Sequence, residues 1–243
     1  MKWAKNITMR HEEKYVCSEG ELNILESRLK GVLDMDENQT PDGYEIRSLY
    51  FDTVSDRFYE EGLEGLAYRS KYRVRMYNGN ADVLKLEKKT SINNLKSKKI
   101  MLLEKSQVES FIRGEVFEDV DCAEQILLKE VCLLQKTMLL RPKIIVKYNR
   151  KAFVSDIGNV RITLDRNICV SNHCEDFLRE DGVYHPVMPP NIHLLEVKYD
   201  GILPGYISKV LNTDRLERTS FSKYILGVGV MKNNGRMKEI YEL

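Results

Sequence analysis

Residues 67–77, AYRSKYRVRMY, alternate between charged and apolar side chains with period two. That period belongs to an extended strand, whose successive side chains point to opposite faces. Lys71, Arg73 and Arg75 therefore share one face, and Tyr72, Val74 and Met76 the other. The pattern recurs along the chain. Lys85, Glu87 and Lys89 oppose Leu84 and Leu86, and Arg161, Thr163 and Asp165 oppose Val160, Ile162 and Leu164. Glu196 and Lys198 oppose Leu195, Val197 and Tyr199. In RHEEKY, residues 10–15, Arg10, Glu12 and Lys14 line up together. Residues 144–153 are less clean, with Tyr148 and Arg150 on one face and Lys147, Asn149 and Lys151 on the other. So many half-apolar strands must pair, and a large antiparallel sheet with one dry face satisfies them.

Helical signals fall between these strands. Ser18 and Glu21 form a capping-box pattern, and Leu22, Leu25, Leu29 and Leu33 follow at helical spacing. Gly79 breaks the strand at 67–77, and residues 82–89 form its hairpin partner. SINNLKSKK, residues 91–99, is expected as a polar, lysine-rich loop. Ser106 and Glu109 repeat the capping pattern before a short helix, and a longer helix is expected over about 121–140. Strands resume after Pro142 and pair around 156–158. Residues 177–191 hold three of the six prolines and read as loop. A helix opens near Pro204 and a last one is expected from about Ser220. Strands do not alternate regularly with helices, so the expected class is α+β, an antiparallel sheet or barrel with flanking helices. No repeat or linker divides the chain, and a single domain over residues 1–243 is expected.

Charge sharpens this reading. The chain carries 38 Lys and Arg against 37 Asp and Glu, a net charge of only +1. Total charge therefore gives no reason to expect nucleic acid as a partner. On the charged strand faces the balance differs. Arg10, Lys14, Lys71, Arg73, Arg75, Lys85, Lys89, Arg150, Arg161 and Lys198 face only Glu12, Glu87, Asp165 and Glu196. An antiparallel sheet with a wet outer face would also alternate. Stacked like charges on neighbouring strands repel, however, and a bound polyanion would neutralise them. Both readings stand at this level. Carboxylates among such cations suit Mg²⁺ or Mn²⁺ bridging phosphate oxygens, with Glu196 and Glu12 as candidates.

No apolar run reaches the ~18 residues of a membrane span, and the N-terminus has no apolar signal core. The cysteines, at 17, 122, 132, 169 and 174, are odd in number, and Cys169, His173 and Cys174 lack the paired spacing of a zinc site. A cytoplasmic protein with reduced thiols is expected.

Several segments together resemble the vacuolar transporter chaperone (VTC) domain, a polyphosphate polymerase of the triphosphate tunnel metalloenzyme, or CYTH-like, superfamily. They are RHEEKY, SLYFDT, KYRVRMY, LKLEKKT with KSKK, RPKIIVKYNRKAF, VRITLDRNI, LLEVKYDG and SFSKY, in family order from residue 10 to residue 224. The resemblance implies an antiparallel tunnel lined by Lys14, Arg73, Arg75, Lys89, Lys99, Arg150, Arg161 and Lys223. Tyr148 and Ser222 would be hydrogen-bonding neighbours and Glu196 the metal-binding carboxylate; strand parity, not the resemblance, adds Arg10 and Lys198 as further substrate contacts. It implies transfer of the γ-phosphate of ATP to a growing polyphosphate chain, with Mn²⁺ or Mg²⁺. Hydrolysis of tripolyphosphate or nucleoside triphosphates, or polyphosphate binding alone, are the alternatives. The chain has no P-loop, so a nucleotide would be held mainly by its phosphates. Two departures matter. Arg10 gives RxExK where CYTH hydrolases carry ExExK, which argues against a thiamine-triphosphatase or class IV cyclase. Ser220 stands where a basic residue is common, and Arg218 is placed to compensate. The membrane helices of the eukaryotic assemblies have no counterpart here, which leaves room for a separate membrane partner.

Overall fold

A computed structural model describes residues 10–93, 95–116, 125–212 and 216–233. The chain packs as two compact units, each stitched from separate segments. One takes residues up to 44, 148–168 and 188–221; the other takes 45–147, 169–187 and 222 onward. No helix among the described residues is long and apolar enough to cross a membrane.

The first unit is built on β1 (Arg10–Ser18), β10 (Ile192–Asp200), the first-unit parts of β8 (Val160–Ser171) and β7 (Arg141–Ser155), and the short β11 (Glu217–Arg218). They hydrogen-bond in the order β11-β1-β10-β8-β7, and β2 (Asp34–Met35) adds to β7. Helix α1 (Glu19–Lys30) begins at the expected capping box: Ser18 Oγ accepts from Glu21 N, and Glu21 Oε2 accepts from Ser18 N. Its Leu22, Leu25 and Leu29 pack with Ile207 and Leu211 of α5 (Gly205–Leu211) on the apolar face, against Ile162, Leu164, Leu195 and Val197. Register sets the other face. Glu12 pairs with Lys198, Lys14 with Glu196, Glu196 with Thr163, and Lys198 with Arg161.

In the second unit the order is β7-β3-β4-β5-β6, with β3 (Tyr44–Asp52), β4 (Tyr68–Tyr77), β5 (Asn80–Ile92) and β6 (Leu95–Leu103); β9 (His185–Pro186) pairs with β8. Asn78 and Gly79 both take positive φ, 51° and 67°, as a tight Asn-Gly hairpin turn requires. The apolar parity of the strands, including Leu49, Val74, Met76 and Leu86, is covered by Phe111 of α3 (Lys105–Arg113) and Val131 of α4 (Ile126–Met138). Helix α2 (Arg57–Leu63) is held by Asp52, whose carboxylate accepts from Phe58 N and Tyr59 N. Helix α6 (Lys223–Lys232) lies so close to its support that a Cβ on Gly227 would sit 2.7 Å from Val170 Cγ1.

Several expectations are corrected. Residues 95–99 are strand, because Asn93, at φ 47°, turns β5 straight into β6. The capping box of α3 is Glu104 with Gln107, two residues earlier than Ser106 with Glu109, and Ser106 lies inside the helix. Helix α4 starts at Ile126; the expected start near 121, and Cys122, lie outside the described residues. Among the described residues the strand order ends on β11 and on β6, so strand pairing does not close the expected barrel. Strand β6 is protected as an edge by Lys96, Lys98 and Lys99.

Candidate functional site

In the second unit the charged side chains fall in rows. Lys71, Lys89 and Lys98 are directly opposed on β4, β5 and β6. The next row is Tyr50, Arg73 and Glu87, and the next Ser48, Arg75 and Lys85. Glu87 is the centre. Arg73 donates to its Oε2 from Nε at 2.7 Å, with Nη2 at 2.6 Å, and Lys98 Nζ lies 2.7 Å from its Oε1. Arg75 Nη1 lies 3.9 Å away. Arg73 also donates to Tyr50 Oη at 2.7 Å, and Arg75 Nε donates to Ser48 Oγ at 3.3 Å. In these three rows β4, β5 and β6 set six cations, at 71, 73, 75, 85, 89 and 98, against one carboxylate. It is not a wet face at its centre: Arg75 is 7% exposed and Glu87 2%. Buried, like-charged neighbours are unfavourable unless an anion joins them.

Burial alone would raise the Glu87 carboxyl, but the charges of Arg73 and Arg75 and the Lys98 hydrogen bond outweigh it and hold the group at about 2. A depressed carboxylate contributes its stability in full above the ordinary value of 4.5, and loses it as pH falls towards about 2. The contribution is on the order of 3 kcal/mol. Thermal unfolding followed from pH 6 to pH 2 is expected to show this acid loss, and Glu87→Gln to flatten it while lowering stability at neutral pH.

The charged face of the first unit is close to balanced. Arg150 donates from Nε and Nη2 to the two Asp165 oxygens at 2.6 and 2.7 Å, and Nη2 lies 3.6 Å from Glu196. Its guanidinium sits 5.2 Å from the Tyr148 ring centroid. Lys198 lies 3.1 Å from Glu196, and Lys14 lies 3.3 Å from Glu12 while donating to Phe221 O at 2.7 Å. Burial pulls the Lys198 amine below its usual range in spite of Glu196 and Glu12. Arg161 reaches sideways, 2.5 Å from Asp36 Oδ2 and 3.3 Å from Tyr44 Oη. Thr163, opposite Glu196, is 1% exposed, and among the described residues its hydroxyl has no protein partner. An unsatisfied buried hydroxyl costs roughly 1–3 kcal/mol. Thr163→Val is therefore expected to raise stability by about 1 kcal/mol, read from the urea midpoint; a loss would show that the hydroxyl is satisfied in solution.

The sequence matches the model of the VTC domain over residues 9–232. The chain belongs to the VTC domain family. No curated protein matches it. Among solved structures, a candidate adenylate cyclase from Bacillus halodurans aligns at 13% identity over 87% of this chain and 92% of that one, with a TM-score of 0.52. That likeness is one of fold. A Pyrococcus horikoshii OT3 protein aligns at 16% identity over 92% and 99% of the two chains, TM-score 0.46. The Mimivirus capping enzyme triphosphatase aligns at 11% over 84% and 88%, TM-score 0.38.

Strand parity within this VTC domain places most of the expected residues. Lys14, Glu12, Glu196, Lys198, Arg150 and Arg161 share the charged parity of the first unit, with Tyr148 buried beside Arg150. Arg10 occupies the first position of β1, opposite Asp200. Arg73, Arg75 and Lys89 come together in the second unit. Ser222 caps α6, its Oγ accepting from Ile225 N at 3.4 Å and from Lys71 Nζ at 2.9 Å, and Lys223 is the first residue of that helix. Lys99 does not join them. Register sets it opposite Lys88, on the face of Tyr72 and Glu130, and Lys98 takes the place on the charged face. The tight turn at Asn93 is the signal that would have found Lys98. Ser48 and Tyr50 were also missed, because every residue of β3 except Glu45 is buried and alternation is lost.

Proposed function

We propose that this VTC domain transfers the γ-phosphate of ATP to a growing polyphosphate chain, with a divalent cation assisting. The observation that carries the reading is the net-positive face of β4, β5 and β6, buried at Arg75 and Glu87, where Arg73, Arg75 and Lys98 converge on Glu87 with Lys71, Lys85 and Lys89 in the flanking rows. A repeating phosphate anion supplies the countercharge that this face lacks. Family membership supports a polyphosphate or triphosphate substrate. Arg73 and Arg75 present planar forks suited to phosphoryl oxygens, with Lys71, Lys89 and Lys98 as point charges beside them. In the first unit, Lys14, Arg150, Arg161 and Lys198 would balance phosphate charge, with Arg10 and Tyr148 as further substrate contacts; Ser222 and Lys223 would do so from α6. Phosphoryl transfer asks a protein mainly for positioning and charge stabilisation, and these side chains provide both without a nucleophile.

No group of three His, Cys, Asp or Glu side chains among the described residues is placed to hold a metal ion. Mg²⁺ and Mn²⁺ do not need one when one or two carboxylates share them with substrate phosphates. Glu196 and Glu12, on one face of neighbouring strands, fit that donor set, with the unpartnered Thr163 hydroxyl beside Glu196. Bound there, the ion would neutralise phosphate oxygens. The test is incubation of purified protein with ATP and Mn²⁺, resolved on a gel stained for polyphosphate. Chains that lengthen with time, with ADP released, support the polymerase. Free phosphate without chains would point to a hydrolase, and binding without turnover to a polyphosphate-binding module.

A further inference from the structure

We propose that the Ser48 and Tyr50 hydroxyls of β3 are hydrogen-bond donors to the phosphoryl oxygens held by Arg73 and Arg75. The inference rests on the polyphosphate reading above and extends that site by one strand. Ser48 and Tyr50 alternate on β3 and stand directly opposite Arg75 and Arg73 in the antiparallel register. Each accepts a hydrogen bond from the arginine it faces, Tyr50 Oη at 2.7 Å and Ser48 Oγ at 3.3 Å. A hydroxyl has one proton to give as well as lone pairs to accept with. Among the described residues neither hydroxyl donates to any protein acceptor, although Ser48 is 1% exposed and Tyr50 7%. Two buried O–H groups with spare protons therefore lie beside the two guanidinium forks of the most positive face. A neutral donor is what such a face needs next, since a further cation would add repulsion.

The Tyr50 ring is also fixed. It stacks on Tyr224 with centroids 5.0 Å apart, and the Tyr224 hydroxyl donates to the buried carboxylate of Asp52. Burial tends to raise the Tyr50 phenol, but the charges of Arg73, Arg75 and Lys223 pull it below its ordinary value. A more acidic phenol is a stronger hydrogen-bond donor.

The test is the affinity for long-chain polyphosphate without metal, by calorimetry at several salt concentrations, for wild type, Tyr50→Phe, Ser48→Ala and Arg73→Ala. Tyr50→Phe keeps the ring stack and loses only the hydroxyl; Ser48→Ala is the independent second variant should the first fail to fold. Each is expected to weaken binding roughly three- to tenfold. Because a neutral donor is lost, the salt dependence should stay that of wild type, whereas Arg73→Ala should make it shallower by about one ion contact. Unchanged affinity in both hydroxyl variants, with Arg73→Ala weakened, would overturn this inference and leave the functional reading standing. A salt dependence in Tyr50→Phe as shallow as that of Arg73→Ala would also overturn it, since Tyr50 would then act only by holding Arg73. Failure of the wild-type protein to bind polyphosphate would overturn both.

Discussion

Replacing Arg150 by Ala is expected to destabilise the protein by about 3–5 kcal/mol, the cost of leaving a buried charge without its partner. Asp165 is fully buried, and both its oxygens accept from the Arg150 guanidinium. Glu196, also buried, lies 3.6 Å from the same group. Removing the cation leaves two carboxylates close together on adjacent strands, with the Lys198 amine 3.1 Å from Glu196. Asp165 must then take up a proton or admit water. The effect should appear as a melting temperature lowered by roughly 10 °C. Replacing the pair together, Arg150→Met with Asp165→Leu, should recover much of the loss, because an apolar pair of similar volume carries no desolvation penalty. An unchanged melting temperature in Arg150→Ala would show that Asp165 is neutral or solvated in the folded protein.

Arg73→Ala should have the largest effect on ligand affinity. Arg73 combines a pair to Glu87, a bond to Tyr50 and a place beside the Lys71–Lys89–Lys98 row. A hydrogen bond to a charged group contributes roughly 1.5–3 kcal/mol, so binding of tripolyphosphate should weaken roughly 10- to 100-fold. Arg73→Lys should recover only part of this, because an ammonium keeps the charge but loses the planar fork. Isothermal titration on folded variants checks both. Affinity equal to wild type in Arg73→Ala would place the phosphate elsewhere.

The two variants probe faces of different character, and the difference explains how far the sequence could be read. Parity alone assigned Lys71, Arg73, Arg75, Glu87, Arg161 and Glu196 to charged faces, and the register agrees at every one. Those strands have one dry side, so side-chain alternation is written into them. Strand β3 is buried on both sides, so Ser48 and Tyr50 carried no such signal. Lys99 was misplaced by one residue because a turn moves register in steps of one while faces alternate in steps of two. The pairing of Arg161 with Asp36 was likewise hidden, since the two lie far apart in sequence.

The sequence by itself determined that the chain forms an antiparallel α+β structure, which residues of most strands are charged together, and that it belongs among VTC domains. These follow from period, caps and motif order, all local properties. Only the tertiary structure decided which cations meet which carboxylates. It gathered Arg73, Arg75 and Lys98 on Glu87, tied Arg150 to Asp165 and turned Arg161 towards Asp36. It also left β6 as an open edge. Those outcomes depend on strand order, register and burial. They set the distances over which charges interact and the water that screens them, and no single segment contains either.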